Sequence, residues 1–250
     1  MSTFSLSPRE CGNHLLSLLP DDDLAALAPH LELVDLKFEQ VIAERGQPLS
    51  HVYFPCSTVL SVHGQMNDGR VVEVGTIGNE GFYGIDVLLG GGEQARARKT
   101  TLCQIPGKAL RLPATEFLQS RTSLRSVALR YISFYLSQMQ QSVTCNRLHS
   151  VKERFAYWLL MSHDRVAEDS FCLTQESVAN TLGVHRPTVS VVAVSFQHAG
   201  MIRYSRGQIT ITSRQALEDA SCECYGIAQQ QFESHMGPFR KECRYEDADI

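Results

Sequence analysis

The chain has 250 residues, 43% of them hydrophobic and 20% charged, which suits two globular domains and excludes a disordered chain. No apolar run approaches the roughly 20 residues that span a bilayer. The N-terminus also lacks a basic region followed by an apolar one, so a cytoplasmic protein that avoids membranes is expected. The net charge of −4 hides an uneven distribution: residues 147–214 hold eight Lys/Arg against five Asp/Glu, and residues 215–250 hold three against eight.

In chain order, Leu15, Leu16, Leu18 and Leu19, then Leu24, Leu27 and Leu31, predict short amphipathic helices broken at Pro20. Asp21, Asp22 and Asp23 suit the start of the second, where the helix dipole favours negative charge. From about Leu31 to Leu112 short apolar runs alternate with turn formers. Val59-Leu60-Ser61-Val62 and Val71-Val72-Glu73-Val74 flank Asn67-Asp68-Gly69, a strong hairpin signal. Many short strands with Gly-rich turns predict an N-terminal jelly-roll or β-roll. Leu129, Ile132, Leu136, Met139 and Val143 then step by three and four within a helix expected over about 123–148. Such a stripe needs an apolar partner: a second copy of the chain is the expected one, and the chain's own barrel is the alternative. Arg154, Phe155, Trp158, Leu159 and Leu160 continue as another amphipathic helix to about Val166.

Residues 173–212 are the most informative. Thr174 is placed to cap a helix from Gln175 to Leu182 that buries Val178, Ala179 and Leu182. Gly183 supplies a tight turn, and Pro187 fits the first turn of a second helix running from Arg186 to about Ala199. Helix, glycine turn, helix is the helix-turn-helix arrangement. Its second helix opens with His185, Arg186, Thr188 and Ser190, groups able to meet base edges and phosphates when the helix end enters a major groove. Met201–Tyr204 and Gln208–Ile211 form a hairpin wing on which Arg203 and Arg206 suit the DNA backbone.

From Leu173-Thr174-Gln175-Glu176-Ser177-Val178-Ala179 through Leu182-Gly183-Val184-His185-Arg186-Pro187-Thr188-Val189-Ser190 the chain resembles the CRP/FNR family of regulators, and the likeness runs from about Leu15 to Tyr225. The resemblance implies an α+β architecture: an N-terminal jelly-roll β-roll, a long dimerisation helix and a C-terminal winged helix-turn-helix. It implies a sensor unit over 1–148, a DNA-binding unit over 149–225 and an acidic tail over 226–250. Arg186 matches the family's base-contacting arginine, Thr174 and Gln175 the phosphate contacts, and His185 and Thr188 flank the arginine. Pro187 and Val191 depart from residues that several members use to read bases, so a different half-site is expected. The family's phosphate cassette aligns with Gly81-Phe82-Tyr83-Gly84 and, later, Lys99-Thr100, near Arg96 and Arg98. Phe82 replaces the glutamate that would bind a ribose hydroxyl, which implies little or no cyclic-nucleotide binding. Phe82, Tyr83, Arg96, Arg98, Lys99 and Thr100 remain the candidate pocket for an unknown small-molecule effector. The implied partners are double-stranded DNA, a second copy of the chain and RNA polymerase.

The eight cysteines, Cys11, Cys56, Cys103, Cys145, Cys172, Cys222, Cys224 and Cys243, are expected to be free thiols in a reducing compartment. Only Cys222 and Cys224 are close in sequence, and one Cys-x-Cys is not a four-ligand site, so no metal or cofactor is expected. Cys11 alone will not hold an iron–sulfur cluster, and His51 and His63 lack the spacing of a metal-dependent jelly-roll enzyme. An enzyme is not expected. The competing reading is a ligand-binding sensor whose helix-turn-helix is vestigial or contacts protein. The acidic segment from Tyr225 to Ile250 either extends a helix over the wing or is a solvated terminus, and the solvated terminus is the expected reading.

Overall fold

The computed structural model describes residues 9–166 and 168–238. Two short helices, α1 (His14–Ser17) and α2 (Asp21–Leu27), lead into strands β1 (Glu32–Leu36), β2 (Val41–Ala43), β3 (His51–Pro55), β4 (Val59–Gln65), β5 (Val71–Ile77), β6 (Thr100–Ile105) and β7 (Gly107–Pro113). They form two antiparallel sheets, ordered β1-β7-β3 and β2-β6-β4-β5. Leu36, Val52, Phe54 and Leu112 from the first sheet share one core with Leu60, Ile77 and Cys103 from the second. The β4–β5 hairpin pairs Leu60 with Ile77 and Gln65 with Val71, as its turn sequence predicts.

Helices α3 (Ala114–Gln119), α4 (Thr122–Leu148) and α5 (Val151–Arg165) follow. The first half of α4 packs on the roll through the buried residues Leu124, Val127, Ala128, Tyr131, Ile132 and Phe134. The expected stripe is therefore split. Ile132 belongs to the roll core, whereas Leu129, Leu136 and Val143 are 45%, 56% and 73% exposed. The physical reason is helical: Ile132 sits next to Tyr131 and shares its inward face, while Leu129, Leu136 and Val143 recur every seven residues on the outward one. Ser150 ends the link between α4 and α5 with a capping box, its hydroxyl accepting from the Glu153 amide while Glu153 accepts from the Ser150 amide.

The C-terminal part runs β8 (Ser170–Cys172), α6 (Gln175–Leu182), α7 (Arg186–His198), β9 (Ile202–Ser205), β10 (Gln208–Ile211), α8 (Arg214–Ala220) and α9 (Cys224–Met236). Its own core joins Phe155 and Leu159 of α5 to Val178, Leu182, Val189, Phe196, Ile209 and Leu217. The expectation of a solvated terminus after Tyr225 is corrected over 225–236. Those residues continue as α9, whose Phe232 and Met236 enter the roll core. The helix runs antiparallel to α4: the Arg130 guanidinium donates to the His235 carbonyl at 2.8 Å and Gln141 donates to the Cys224 thiol at 3.1 Å. The acidic excess of 215–250 lies mostly outside α9, which carries only Glu233, and Tyr225, Ala228, Phe232 and Met236 step by three and four along one buried face. Residues 239–250, with Cys243, lie outside the described residues. No described helix is long and apolar enough to cross a membrane.

Candidate nucleic-acid interface

Thr174 caps α6 by accepting from the Ser177 amide at 3.0 Å. Gly183 ends it in the left-handed region (φ 63°), turning the chain sharply toward α7. Pro187 occupies the first turn of α7, where no backbone donor is needed. Packing of Val189, Ala193 and Phe196 into the core fixes the opposite face of α7 outward. On that face His185, Arg186 and Thr188 are exposed at the N-terminal end.

The exposed groups are organised. Gln175, at the start of α6, accepts from the Ser190 hydroxyl at 2.8 Å and from the Arg186 Nε at 3.4 Å. Gln175, Arg186 and Ser190 are thus one polar network that bridges the two helices and holds Arg186 through its Nε. On the wing, Ser205 pairs with Gln208, so the turn is the two-residue Arg206-Gly207, with φ of 49° and 77°. A two-residue turn with both φ positive matches the right-handed twist of the strands, and it lifts Arg206 to the tip. Arg203 and Arg206 are exposed, and among the described residues no carboxylate pairs with Arg186, Arg203 or Arg206. Two side chains complete the face of α7: Val191, already noted as a departure at a base-reading position, and Val194, which sequence reasoning passed over, 71% and 48% exposed. Exposed β-branched residues inside an otherwise amphipathic helix were the available signal, and a thymine methyl is the base-edge group they suit. The third strand of the wing sheet, β8, pairing with β10, was also not foreseen.

The candidate effector residues do not gather. Phe82 is fully buried among Phe54, Phe117 and Tyr131. Arg98 pairs with Asp86 at 2.9 Å, Arg96 donates to the Gly46 carbonyl at 2.8 Å, and Lys99 faces solvent. Of the six only Tyr83 lines the groove, of about 250 Å³, beside Val41, Pro48 and Tyr53. Burial pushes the Tyr83 hydroxyl up to about 12. The space between the cassette and the long helix is filled from within. A Cβ at Gly81 would lie 1.9 Å from Tyr131, and one at Gly75 would lie 2.5 Å from Met139 and 2.7 Å from the Tyr135 hydroxyl. The inclusion of Phe82 in a pocket is corrected, because an aromatic in the cassette closes the cavity that a carboxylate would line.

The reading of Cys222 and Cys224 as a lone Cys-x-Cys is corrected as well. Cys145 and His149, one helical turn apart at the end of α4, lie beside them.

Residues 153–220 match the family model of the Crp-like helix-turn-helix domain. The chain is similar to a "CRP-like cAMP-activated global transcriptional regulator" of Mycobacterium tuberculosis, 22% identical over 202 residues that cover 78% of this chain and 90% of the relative. It is also similar to the solved structure of FixK2 from Bradyrhizobium japonicum, with 15% identity and a TM-score of 0.63, covering 77% of this chain and 98% of that one. A CRP-family transcriptional regulator from Thermus thermophilus matches at 18% identity and TM-score 0.63, over 77% of this chain and 96% of the other. The mixed fold and its matched domain are those of a DNA-binding transcription regulator. Residues 153–220 thus carry a Crp-like helix-turn-helix, and the β-roll and long helix before it are arranged as in the solved CRP-family regulator.

Proposed function

We propose that this protein regulates transcription as a homodimer that reads a two-fold symmetric DNA site, without control by cyclic AMP. The observation that carries the reading is the outward end of α7, where Arg186, with no carboxylate partner among the described residues, is oriented by Gln175 beside Ser190. Arg186 is the base-reading group, Thr174 and Gln175 contact phosphate, His185, Thr188 and Ser190 flank the base contact, and Arg203 and Arg206 hold the backbone from the wing. The outward residues Leu129, Leu136 and Val143 of α4 supply the dimer seam, and Met139 flanks it. The functional division follows the sequence expectation up to Tyr225, with a sensor and dimerisation unit over 1–148 and a DNA-binding unit from 149. RNA polymerase is the further partner proposed for a regulator bound in this way. Independence from cyclic AMP is supported by the filled space around Gly81, Phe82 and Tyr131.

The test is recovery and sequencing of genomic fragments bound by the purified protein. A symmetric motif is expected, with affinity lowered roughly 5- to 150-fold in Arg186→Ala, the equivalent of about 1–3 kcal/mol for one bidentate base contact. Added cyclic AMP is expected to leave binding unchanged. Absence of any motif, with and without cell extract, would favour a sensor whose helix-turn-helix contacts protein.

A further inference from the structure

Where α4 hands over to α5, four ligand-type side chains meet that the DNA-binding reading does not use. Cys145 and His149 project from the last turn of α4 and its C-cap, four residues apart and so on one face. Cys222 and Cys224 come from the short link between α8 and the start of α9. One ligand atom from each lies within 4.8 Å of all the others. We propose that Cys145, His149, Cys222 and Cys224 form a closed tetrahedral site for one zinc ion.

The spacings are those of a shared metal. Zinc–sulfur bonds near 2.3 Å and zinc–nitrogen bonds near 2.0–2.1 Å give tetrahedron edges of about 3.8 Å between sulfurs and about 3.6 Å between sulfur and nitrogen. The Sγ atoms of Cys145 and Cys222 are 3.7 Å apart, and Cys224 Sγ lies 3.5 Å from His149 Nδ1. An iron–sulfur cluster would put its own atoms between the thiolates and needs a wider cage than this one. Three thiols cannot all be satisfied as disulfides within the group. Four protein ligands leave no open position, so the site is structural rather than catalytic.

The surroundings are also those of a metal site. His149 Nε2 lies 3.1 Å from the Glu223 carboxylate, which fixes the proton on Nε2 and leaves the Nδ1 lone pair toward the three sulfurs. Gln141 donates to Cys224 Sγ at 3.1 Å, a hydrogen bond that suits a thiolate. All three cysteines are at least 95% buried, and the Tyr157 ring packs against them. Single thiols bury readily as small apolar groups, but three thiols that converge with an imidazole nitrogen are all satisfied at once by a soft, tetrahedral ion. The ion would tie the end of the long helix to the segment that follows α8, and so hold α9 down and set the angle at the His149-Ser150 junction.

The experiment uses the full-length protein purified under reducing conditions without chelator. Elemental analysis is expected to give one zinc per chain. The metal-free, reduced protein titrated with cobalt(II) is expected to show thiolate-to-cobalt charge transfer and the visible bands of a tetrahedral ion at one equivalent. The Cys222→Ser/Cys224→Ser double variant should lose both signals, while Cys172→Ser and His149→Cys retain them. Removing the metal should lower Tm by about 5 °C or more, since the ion binds only the folded site. Zinc-free wild-type protein that gives no tetrahedral cobalt spectrum would overturn the proposal, as would metal that persists in the double variant. A Cys145–Cys222 disulfide in protein taken from reducing cytosol would also overturn it. If the double variant does not fold, the cobalt titration of the wild type decides.

Discussion

Arg206, proposed to meet the DNA backbone, sits in a strained backbone conformation at the tip of the wing. It is one of two described non-glycine residues with positive φ, the other being Glu39. The left-handed conformation costs an ordinary L-residue about 1–2 kcal/mol, and asparagine tolerates it better. An arginine at this position is accounted for, under the proposed function, by where its charge ends up, at the exposed tip of the wing hairpin. Arg206→Asn is therefore expected to move two measurements in opposite directions. Denaturant unfolding should show a gain of about 0.5–1 kcal/mol, because strain is relieved and no packing is lost. DNA binding should weaken, with the slope of log affinity against log salt falling by about one phosphate contact. A lower stability with unchanged salt dependence would mean that the guanidinium packs on the protein and does not meet phosphate.

At the scale of the element, α4 carries two opposed tasks. Its inward face fills the roll with Tyr131, Ile132 and Phe134, and its outward face leaves Leu129, Leu136 and Val143 in water. Three large aliphatic groups in one row on a helix of 27 residues form a seam that solvent does not stabilise. Leu136→Lys changes only an exposed side chain, so thermal unfolding of the monomer unit is expected to shift little. Light scattering should report a monomer, and affinity for the symmetric DNA site should drop roughly 100-fold or more as the linkage between half-sites is lost. A dimer that survives the substitution would place the interface elsewhere. The same scale shows what the sequence made legible. The helix-turn-helix was readable because its cues are local: Thr174 caps, Gly183 turns and Pro187 starts, and the predicted 175–182 and 186–199 became 175–182 and 186–198. Ile132 was misplaced because periodicity identifies a stripe and not which of two partners covers each part of it. The cysteine–histidine group was invisible because Cys145 and Cys222 are 77 residues apart. Only the packing of α9 on α4 brings them together.

At the scale of the molecule, the DNA-binding part is fastened to the roll by two polar clusters, the first buried and the second partly buried. In the first, Arg165 at the end of α5 forks onto Glu80 at 3.0 and 2.7 Å, both residues being less than 10% exposed. In the second, the Glu73 carboxylate on β5 accepts from Ser61 at 2.6 Å, from Gln104 at 2.8 Å and from Thr181 of α6 at 3.1 Å. Burial raises the Glu73 pKa from its ordinary value near 4.5, and its hydrogen bonds and the charge of Arg165 offset this only in part. The sign follows from linkage. A carboxyl whose folded pKa is raised holds its proton more tightly in the folded protein, so its contribution is full below the ordinary value and is lost as pH rises through the raised one. The contact between α6 and β5 is thus expected to loosen from about pH 4.5 upward. Other carboxylates titrate in the same window, so the measurement is a comparison: Tm against pH for the wild type and for Glu73→Gln, whose amide keeps an acceptor and has no proton to lose. The wild type should lose more Tm than the variant between acid and neutral pH, and amide exchange in α6 should accelerate over the same range. Parallel curves would show that Glu73 is ionised throughout and that Arg165 and the three donors outweigh its burial. The fastening of α6 would then be independent of pH, and movement of the recognition helix would have to be sought at the His149-Ser150 junction instead.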